Sequence, residues 1–592
     1  MKKGVVLLIS AIAFGGIIGT SLTSCNSTQG ETIQGATVQV VTHGDLVSAK
    51  IDNEKESYKK GDKISLTLTF KEGYGLSEIL INGNKAESEK DITLEDGKNV
   101  IEIYAKNLVI TDGTTNIRDF TFEDLGGKYA ITSYTPTGIY PSIAEFPSTY
   151  LGKPVTEIRF LTKTTSQDGF EDTIVISRYL FGGLKGVKIP ASIEKIAPEV
   201  FRSNSSLTSI TVDENNKNYS SDGTVLLNKD KTKLIAFPQG VEGEYKVPDS
   251  VKEIGNDAFF GCQKITKIDL NKVEKLGDKA FYSTKRIKEF IIPDTVTSIG
   301  KECFSTSAEV EKITLSKNLT VIPESCFYKN TSLKEINIPS SVKNIEKFAF
   351  YESAKLENVT FNEGLNSIGD SAFALTSIKE ANFPASLTTI GKSSFSGISR
   401  LSKVSFKQGI TSIGENSFYR NLKLESVNIP ASLKSIGQGS FFASLSLKGF
   451  DVADTNPSYS DIDGVLFSKD GTELIAYPSA KGVNKEGFIT EDKTTYVIPE
   501  GTTKLGFQCF SAVSNNPDGE SDKSYSIKKV VIPTSVKEMD QPFYLAKLDE
   551  VEYKGTTQEF KAIKQGEYAW NYEAAIKKLL CSGDNKQWEK EN

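Results

Sequence analysis

Leu333-x-x-Ile336-x-Ile338-Pro339 has an apolar spacing that returns many times along the chain. The first apolar residue of each copy follows the previous one after 22 or 23 residues. These first residues are Ile265, Ile287, Val310, Leu333, Leu356, Ile378, Leu401, Leu424 and Leu447. A fixed period of this length is the mark of a repeat protein, in which each unit packs only against its neighbours. The sequence therefore predicts a stack of similar coils, a solenoid.

The spacing within each unit indicates which kind of solenoid this is. An L-x-x-L-x-L core within a period of about 20 to 29 residues is typical of leucine-rich repeats, in which each unit adds one short strand to a curved stack. Side chains alternate along a strand, so Ile336 and Ile338 should point inward and Glu335 and Asn337 outward. The predicted fold class is mainly β: a leucine-rich-repeat solenoid with short parallel strands on its concave face and two hairpin insertions, preceded by a small all-β domain.

The second half of each unit is as regular as the first. Ile254-Gly255-x-x-Ala258-Phe259 returns as Ile299-Gly300-x-x-Cys303-Phe304 and as Ile368-Gly369-x-x-Ala372-Phe373. We expect the Phe rings to stack into an apolar spine. We expect the glycine to supply a backbone angle that other residues avoid.

The full repeat string, Leu-x-x-Ile-x-Ile-Pro-x-Ser-Val-x-x-Ile-Gly-x-x-Ala-Phe, resembles the BspA-like, or Treponema-type, leucine-rich-repeat family. The resemblance covers about residues 150 to 545. Members of that family are typically bacterial surface or secreted proteins associated with adhesion to host matrix proteins, to other cells or to each other. The resemblance therefore implies a non-enzymatic binding function at the cell surface.

The chain begins with the features of a targeting segment. Lys2 and Lys3 are followed by the apolar stretch 5–18 and by Leu22-Thr23-Ser24-Cys25. This tetrapeptide resembles a bacterial lipobox, whose cysteine is acylated and becomes the new N-terminus. The prediction is a lipoprotein signal peptide over 1–24, lipidation of Cys25 and a tether over 25–35. An ordinary cleaved signal peptide and an uncleaved anchor are the alternatives.

Further boundaries follow from composition and pattern. A small all-β domain, similar to the B-repeat modules of bacterial surface proteins, is predicted over 36–106, and the N-terminal cap of the solenoid over 107–160. The solenoid itself spans 161–547, with hairpin insertions near 219–240 and 459–480 that resemble each other. A C-terminal cap and tail over 548–592 should contain a helix that places apolar side chains against the last coil: Phe560, Ile563, Trp570, Ile576 and Leu580.

Cysteine usage argues against a disulfide framework. If Cys25 carries lipid, five of the six cysteines remain, and an odd number cannot close within one chain. Cys303, Cys326 and Cys509 occupy the Ala position of the repeat, where a free thiol packs as a small apolar group. A bridge between Cys303 and Cys326, one repeat apart, stays an alternative if their Cα atoms lie within about 7 Å.

No catalytic constellation can be assembled from the sequence. His43 is the only histidine, so triads and metal sites that need histidine are not expected. No phosphate-binding glycine loop is found either. The formal net charge of -6 becomes -8 (-6 minus 2) when Lys2 and Lys3 are removed, which disfavours nucleic acid as a partner. We expect no enzymatic activity, no cofactor and no bound metal.

Binding must then come from the repeat surface. The outward position of Asn337 gives a row of small neutral polar groups along the stack, which we predict to bind a protein ligand: Thr314, Asn337, Thr360, Asn382, Ser405 and Asn428. The position of Glu335 gives a row in which charge alternates over its first four members: Lys267, Glu289, Lys312, Glu335, Asn358, Glu380 and Lys403. For any single one of these residues, support of strand pairing is the favoured explanation, whereas for the concave surface as a whole binding is favoured.

The resulting hypothesis is a protein exposed at the cell surface, held to a bacterial membrane through its N-terminal lipid only, that binds an extracellular or surface protein. The alternatives are a self-associating surface scaffold and, less favoured, a glycan-binding lipoprotein. The last is disfavoured because Trp570 and Trp588, the two tryptophans, both lie in the C-terminal segment.

Overall fold

The structure is a computed structural model. It describes residues 7–11, 18–22, 36–43, 46–52, 55, 58–70, 74–82, 84–86, 91–95, 97–107, 115, 117–135, 142–159, 162–167, 170–175, 183–202, 204–483, 489, 494–511, 513 and 527–588. Contacts divide the chain into two compact units, residues 1–230 with 238–240 and residues 231–237 with 241–592.

The N-terminal part of the first unit is all β. Its strands are β1 (Leu7–Ala11), β2 (Ile18–Leu22), β3 (Ala36–His43), β4 (Leu46–Ile51), β5 (Lys63–Ile64), β6 (Leu66–Phe70), β7 (Tyr74–Ile81), β8 (Asn84–Lys85), β9 (Ile92–Thr93) and β10 (Gly97–Asn107). β10 pairs in parallel with β3 and antiparallel with β7. Alternate residues such as Val38, Val40, Ile101 and Ile103 form a buried core. β1 and β2 form a hairpin that pairs with β3; both lie in the segment whose removal as a signal peptide stays a prediction.

The rest of the first unit begins the repeats. It contains two 3₁₀ helices (Ile117–Asp119 and Pro198–Phe201) and the strands β11 (Phe120–Asp124), β12 (Tyr129–Tyr134), β13 (Ile143–Glu145), β14 (Thr149–Tyr150), β15 (Lys153–Ile158), β16 (Thr162–Gln167), β17 (Phe170–Val175), β18 (Gly186–Ile189), β19 (Lys195–Ile196), β20 (Ser209–Val212), β21 (Tyr219–Ser221) and β22 (Leu226–Asn228). β11 and β12 pair antiparallel, whereas β13, β18 and β20 pair in parallel.

The second unit is a long series of short strands with one helix. They are β23 (Lys233–Ala236), β24 (Gly243–Lys246), β25 (Glu253–Ile254), β26 (Ile265–Asp269), β27 (Lys275–Leu276), β28 (Glu289–Ile291), β29 (Ser298–Ile299), β30 (Lys312–Thr314), β31 (Val321–Ile322), β32 (Glu335–Ile338), β33 (Asn344–Ile345), β34 (Asn358–Phe361), β35 (Ser367–Ile368), β36 (Glu380–Asn382), β37 (Thr389–Ile390), β38 (Lys403–Ser405), β39 (Ser412–Ile413), β40 (Ser426–Ile429), β41 (Ser435–Ile436), β42 (Gly449–Val452), β43 (Tyr459–Ile462), β44 (Val465–Ser468), β45 (Glu473–Ala476), β46 (Thr495–Val497), β47 (Lys504–Leu505), β48 (Lys529–Ile532), β49 (Glu538–Met539), β50 (Lys547–Leu548), β51 (Glu550–Tyr553), α1 (Thr557–Lys561), β52 (Lys564–Gln565), β53 (Ala575–Ile576), β54 (Leu579–Cys581) and β55 (Lys586–Trp588).

Two stacks of parallel strands run through this unit. The first ladder consists of the strands that carry the Leu-x-x-Ile-x-Ile pattern, the even-numbered strands from β24 to β42. In β32, Ile336 and Ile338 are buried, while Glu335 and Asn337 are exposed, which confirms the predicted alternation and the solenoid class. The second ladder consists of the two-residue strands that precede the repeat glycine or the residue in its place, the odd-numbered strands from β25 to β41. Its neighbouring strands also pair in parallel, except between β29 and β31, which belong to separate sheets. The sequence analysis did not predict this second ladder.

The first ladder is not continuous. Its pairing stops between β26 and β28 and again between β34 and β36. These two places are the ones where the repeat period, from Ile265 to Ile287 and from Leu356 to Ile378, is 22 residues instead of 23. Strand register depends on the length of the connecting chain, so we attribute both interruptions to the missing residue.

After each strand of the second ladder the chain runs through an arc, the seven residues from the repeat glycine onward, such as 300–306. The expectation that this glycine supplies an unusual backbone angle was wrong. Glu302 and Thr306 have positive φ, 53° and 58°, and Gly300 does not. A Cβ on the equivalent Gly369 would lie 2.6 Å from the backbone nitrogen of Lys347. Glycine stands there because adjacent coils approach too closely for a side chain.

The apolar spine is confirmed. The phenylalanine rings of successive arcs stack at centroid distances between 4.9 and 5.7 Å, and the rings are buried. They belong to Phe259, Phe281, Phe304, Phe327, Phe350, Phe373, Phe395, Phe418 and Phe441. A row of aromatic contacts through the middle of the coils therefore links each repeat to the next.

The two segments with hairpin patterns share their anchoring contacts. β21 pairs antiparallel with β22, and β43 with β44. The Ile196 N–H donates to the Tyr219 hydroxyl at 2.9 Å, and the Ile436 N–H donates to the Tyr459 hydroxyl at 2.8 Å. Each tyrosine thus satisfies the N–H group of a two-residue strand, β19 in the first case and β41 in the second, which makes the two hairpins one structural device used twice.

The long C-terminal helix expected from the sequence was wrong. The helix α1 ends at Lys561, after a capping box between Thr556 and Glu559. The chain then forms β52, which pairs in parallel with β49 at the end of a separate sheet, β43-β44-β45-β47-β49-β52. Pairing along the stack satisfies the backbone there, and Ile576 and Leu580 lie on strands instead of a helix.

The described cysteines are free and buried, at Cys262, Cys303, Cys326, Cys509 and Cys581. Cys303 and Cys326 are therefore not bridged in the structure. Burial raises the pKa of the Cys303 thiol well above its usual range, which keeps this group in the neutral form. Cys25 lies outside the described residues.

Candidate functional site

The row predicted to bind a ligand lies on the outward side of the first ladder. Its members occupy the strands β30, β32, β34, β36, β38 and β40. Asn337 pairs directly with Thr360, and Asn382 with Ser405, across neighbouring strands. The strand break between β34 and β36 divides the row into two halves.

The side chains of the row are not equally available. Thr314, Asn337, Thr360 and Asn382 are exposed, whereas Ser405 and Asn428 are half-buried. Further along the ladder, the Asn428 side chain donates to the Phe406 carbonyl at 2.8 Å and accepts from the Phe406 N–H at 3.1 Å. This amide is therefore used to join two coils.

Asn337 also has a partner within the chain. Its side-chain oxygen accepts a hydrogen bond of 2.8 Å from the Asn362 amide, which donates to the Ile338 carbonyl as well. Thr314, Thr360 and Asn382 are thus the members of the row that combine exposure with no such side-chain bond to another described residue. Ligand binding by the six residues stays a prediction.

Some of the charged residues beside this row form ion pairs along the stack. Lys312 lies 3.2 Å from Glu289, and Lys379 lies 2.6 Å from Glu357. The hydrogen bond from Lys379 lowers the pKa of the Glu357 carboxyl. Exposed ion pairs contribute little to stability each, but they neutralise neighbouring charges. The surface beside the row is therefore patterned with paired charges instead of one net sign.

The sequence analysis missed Ile291, which occupies the same register position as Asn337 two coils earlier. Its side chain is 58% exposed. The repeat period alone would have found it, because Ile291 lies four residues after Ile287 as Asn337 lies four after Leu333. An exposed large apolar group on a polar strand face is the kind of residue that anchors protein interfaces.

Clusters of His, Cys, Asp or Glu side chains could hold a metal ion. Within the described parts of the chain, no group of three or more His, Cys, Asp or Glu side chains is placed to hold a metal ion. In the same residues, no helix is long and apolar enough to cross a membrane.

Comparisons with known proteins agree with the repeat geometry. The BspA type leucine rich repeat region, present in six copies, matches residues 171–243, 243–347 and 320–448. No curated protein matches the chain by sequence.

Similar solved structures include a leucine-rich repeat protein from Bacteroides ovatus, with 19% identity, 80% of this chain and 100% of that chain covered, and a TM-score of 0.41. A leucine rich cell surface protein from Faecalibacterium prausnitzii has 20% identity, coverage of 78% and 100%, and a TM-score of 0.37.

BspA-like proteins are typically found at the cell surface, and the leucine-rich-repeat solenoid is typically non-enzymatic. The matched residues from 243 to 448 contain nearly all strands of the two ladders. Residues 171–448 of this chain are therefore a BspA-type leucine-rich repeat region.

Proposed function

We propose that this protein is a lipid-anchored surface protein that binds a protein partner through the outward face of the first ladder. One observation carries the proposal: Thr314, Thr360 and Asn382 are exposed on the outward side of the first ladder, where charges of both signs lie beside them, such as the ion pair of Lys312 with Glu289. Such a face offers hydrogen bonds to a partner without a large penalty for removing a net charge from water. Ile291 adds an apolar contact at the same face.

The lipid anchor has its own test. Replacing Cys25 with serine removes the thiol that would be acylated, so we expect the protein to move from the membrane fraction to the soluble fraction. Acyl chains supply the membrane affinity, about 0.8 kcal/mol for each buried CH₂ group. Fractionation of cells that express either form, followed by immunoblotting, measures the effect. Continued membrane retention of the serine variant would contradict the anchor.

The binding face can be tested with arginine substitutions. We expect Thr314→Arg combined with Asn382→Arg to weaken saturable binding of residues 26–592 to immobilised host matrix proteins or bacterial cells by at least about tenfold, or about 1.4 kcal/mol. The bulk and charge of two arginines should block close approach of a partner.

Thr389→Arg is the matched control, because Thr389 is an exposed residue in the same coil as Asn382 but on the second ladder. Equal loss of binding in the control and the double variant would remove the first ladder as the binding face. Concentration-dependent mass of the protein without any partner would favour the self-associating scaffold instead.

A further inference from the structure

A cavity of about 260 Å³ interrupts the stack of arcs near the second hairpin. It lies between the arc 437–443 and residues 506–511 of a later arc, and residues of the hairpin, including Tyr459 and Tyr477, also line it. We name it the slot. None of the described residues that line the slot belongs to a strand of the first ladder, so the slot and the proposed binding face are separate sites.

Successive arcs are normally joined by hydrogen bonds between their backbones. Each arc donates three N–H groups to carbonyls of the following arc. The N–H groups of Asn416, Phe418 and Arg420 donate to residues 438, 440 and 442 at 3.0, 2.9 and 2.8 Å. The preceding arc makes the same three bonds from Ser393, Phe395 and Gly397.

These contacts stop at the slot. The N–H groups of Gly439, Phe441 and Ala443, which are the next donors in the series, form no hydrogen bond with any described residue. On the opposite wall, the carbonyls of Phe507 and Ser511 accept none from the described part of the chain. The slot therefore faces backbone donors on one side and backbone acceptors on the other.

The hairpin explains the gap. Where a complete arc would lie, the chain supplies only residues 475–479, and a single bond of 2.7 Å from the Tyr477 N–H to the Cys509 carbonyl continues the series. The Tyr477 ring takes the place of a spine ring and stacks on Phe510 at 5.1 Å. The Tyr477 ring thus continues the apolar core across the slot, although only one of the three backbone hydrogen bonds that a complete arc would donate is formed.

The polar wall of the slot is acidic. Glu473 and Lys504 form an ion pair of 2.9 Å. Asp540 also lines the slot, and no described lysine or arginine lies within ion-pair distance of it. Burial raises the pKa of the Asp540 carboxyl. A basic group in a ligand would find a partner here.

We propose that the slot binds an extended peptide segment of a partner protein. The carbonyls of the peptide accept from Gly439 and Phe441, and its N–H groups donate to Phe507 and Ser511. Peptide backbone is the chemistry that satisfies the equivalent groups in every neighbouring arc. Unpaired backbone groups in a partly enclosed site are costly, and their pairing with an added segment is the principle of strand addition at open sheet edges.

The probe is an acetylated and amidated peptide with the sequence of residues 413–420, which carries an arc with its alternating carbonyl and N–H groups and ends on Arg420. Titration calorimetry with residues 26–592 should give saturable binding. Hydrogen exchange of the unaltered protein should slow at residues 439–443 when the peptide is present. Absence of binding, or binding without this protection, overturns the proposal.

Ser511→Tyr tests the location. Tyrosine occupies the equivalent position in other arcs, as in Tyr328, Tyr351 and Tyr419. Ser511 itself is buried and lines the slot, so the larger side chain would take up space that the peptide needs. We expect peptide affinity to fall by at least about tenfold. Ser396→Tyr makes the same change at the same arc position away from the slot and should leave affinity unchanged.

The remaining outcomes are also decisive. Equal affinity in the Ser511→Tyr and Ser396→Tyr variants overturns the slot as the peptide site. Binding of D-glucose or N-acetylglucosamine that is lost in Ser511→Tyr, with no peptide binding, replaces the peptide by a sugar. Thr314→Arg with Asn382→Arg should leave peptide affinity unchanged, so failure of the first-ladder proposal and failure of this one are distinguishable.

Discussion

Replacing Phe350 with alanine is expected to destabilise the solenoid by about 3 to 5 kcal/mol, the usual cost of removing a buried phenyl ring from a packed core. Phe350 is fully buried, and its ring stacks on Phe327 at 5.1 Å and on Phe373 at 4.9 Å. Its loss removes two ring contacts at once and leaves a cavity that rigid neighbouring coils cannot fill. Because each repeat is stabilised by its neighbours, the damage should spread to adjacent coils.

Urea denaturation of residues 26–592, followed by circular dichroism, measures this effect. Phe348→Asn is the matched control. Phe348 is half-buried, outside the spine, and has a φ of 58°, a conformation that asparagine adopts more readily than phenylalanine. We expect its stability to change by less than about 1 kcal/mol. Similar losses in both variants would show that the stacked rings are not the main source of cohesion.

Gly369→Ala is expected to cost about 3 kcal/mol, although it adds a single methyl group. The new Cβ would lie 2.6 Å from the Lys347 nitrogen and 2.7 Å from the Glu346 carbonyl carbon. Both atoms belong to the backbone of the preceding coil, so no side chain can move aside. The two coils must separate, which weakens the hydrogen bond of 2.7 Å from the Gly369 N–H to the Ile345 carbonyl.

Gly449→Ala is the control, because it replaces a glycine by alanine at a position where the new Cβ has no close neighbour. A Cβ at Gly449 would have its nearest neighbours at 3.6 and 3.7 Å, which is ordinary contact, and φ is not positive there. We expect this change to be neutral or slightly stabilising, because alanine reduces the entropy of the unfolded chain. If thermal denaturation shows equal losses in both variants, close approach of the coils is not the reason for the repeat glycine.

The sequence predicted the strand of each coil and the spine because both depend on local pattern. Alternation along Glu335-Ile336-Asn337-Ile338 fixes which side chains are buried, and the Phe in each arc recurs at the repeat period. The outward row from Thr314 to Asn428 could be named for the same reason. Ile291 could have been named too, because it lies four residues after the first apolar residue of its repeat, as Asn337 does.

Other features depended on contacts between coils, which one repeat does not contain. The second ladder has strands of two residues, too short for any alternation to reveal. The glycine was assigned to a backbone angle because its real constraint, the backbone of the preceding coil, lies 23 residues away in sequence. The C-terminal apolar residues were placed on a helix because strand pairing of β52 with β49 was not visible from spacing.

By itself, the sequence determined the repeat class, the buried face of each strand and the position of the spine, because these follow from the period and from apolar alternation. The tertiary structure alone decided which members of the polar row remain available, and that near the second hairpin the backbone groups of Gly439 and Phe507 have no hydrogen-bond partner among the described residues. The physical reason is that hydrogen bonds and close approach between coils are made by residues about one period apart, and local pattern does not specify them.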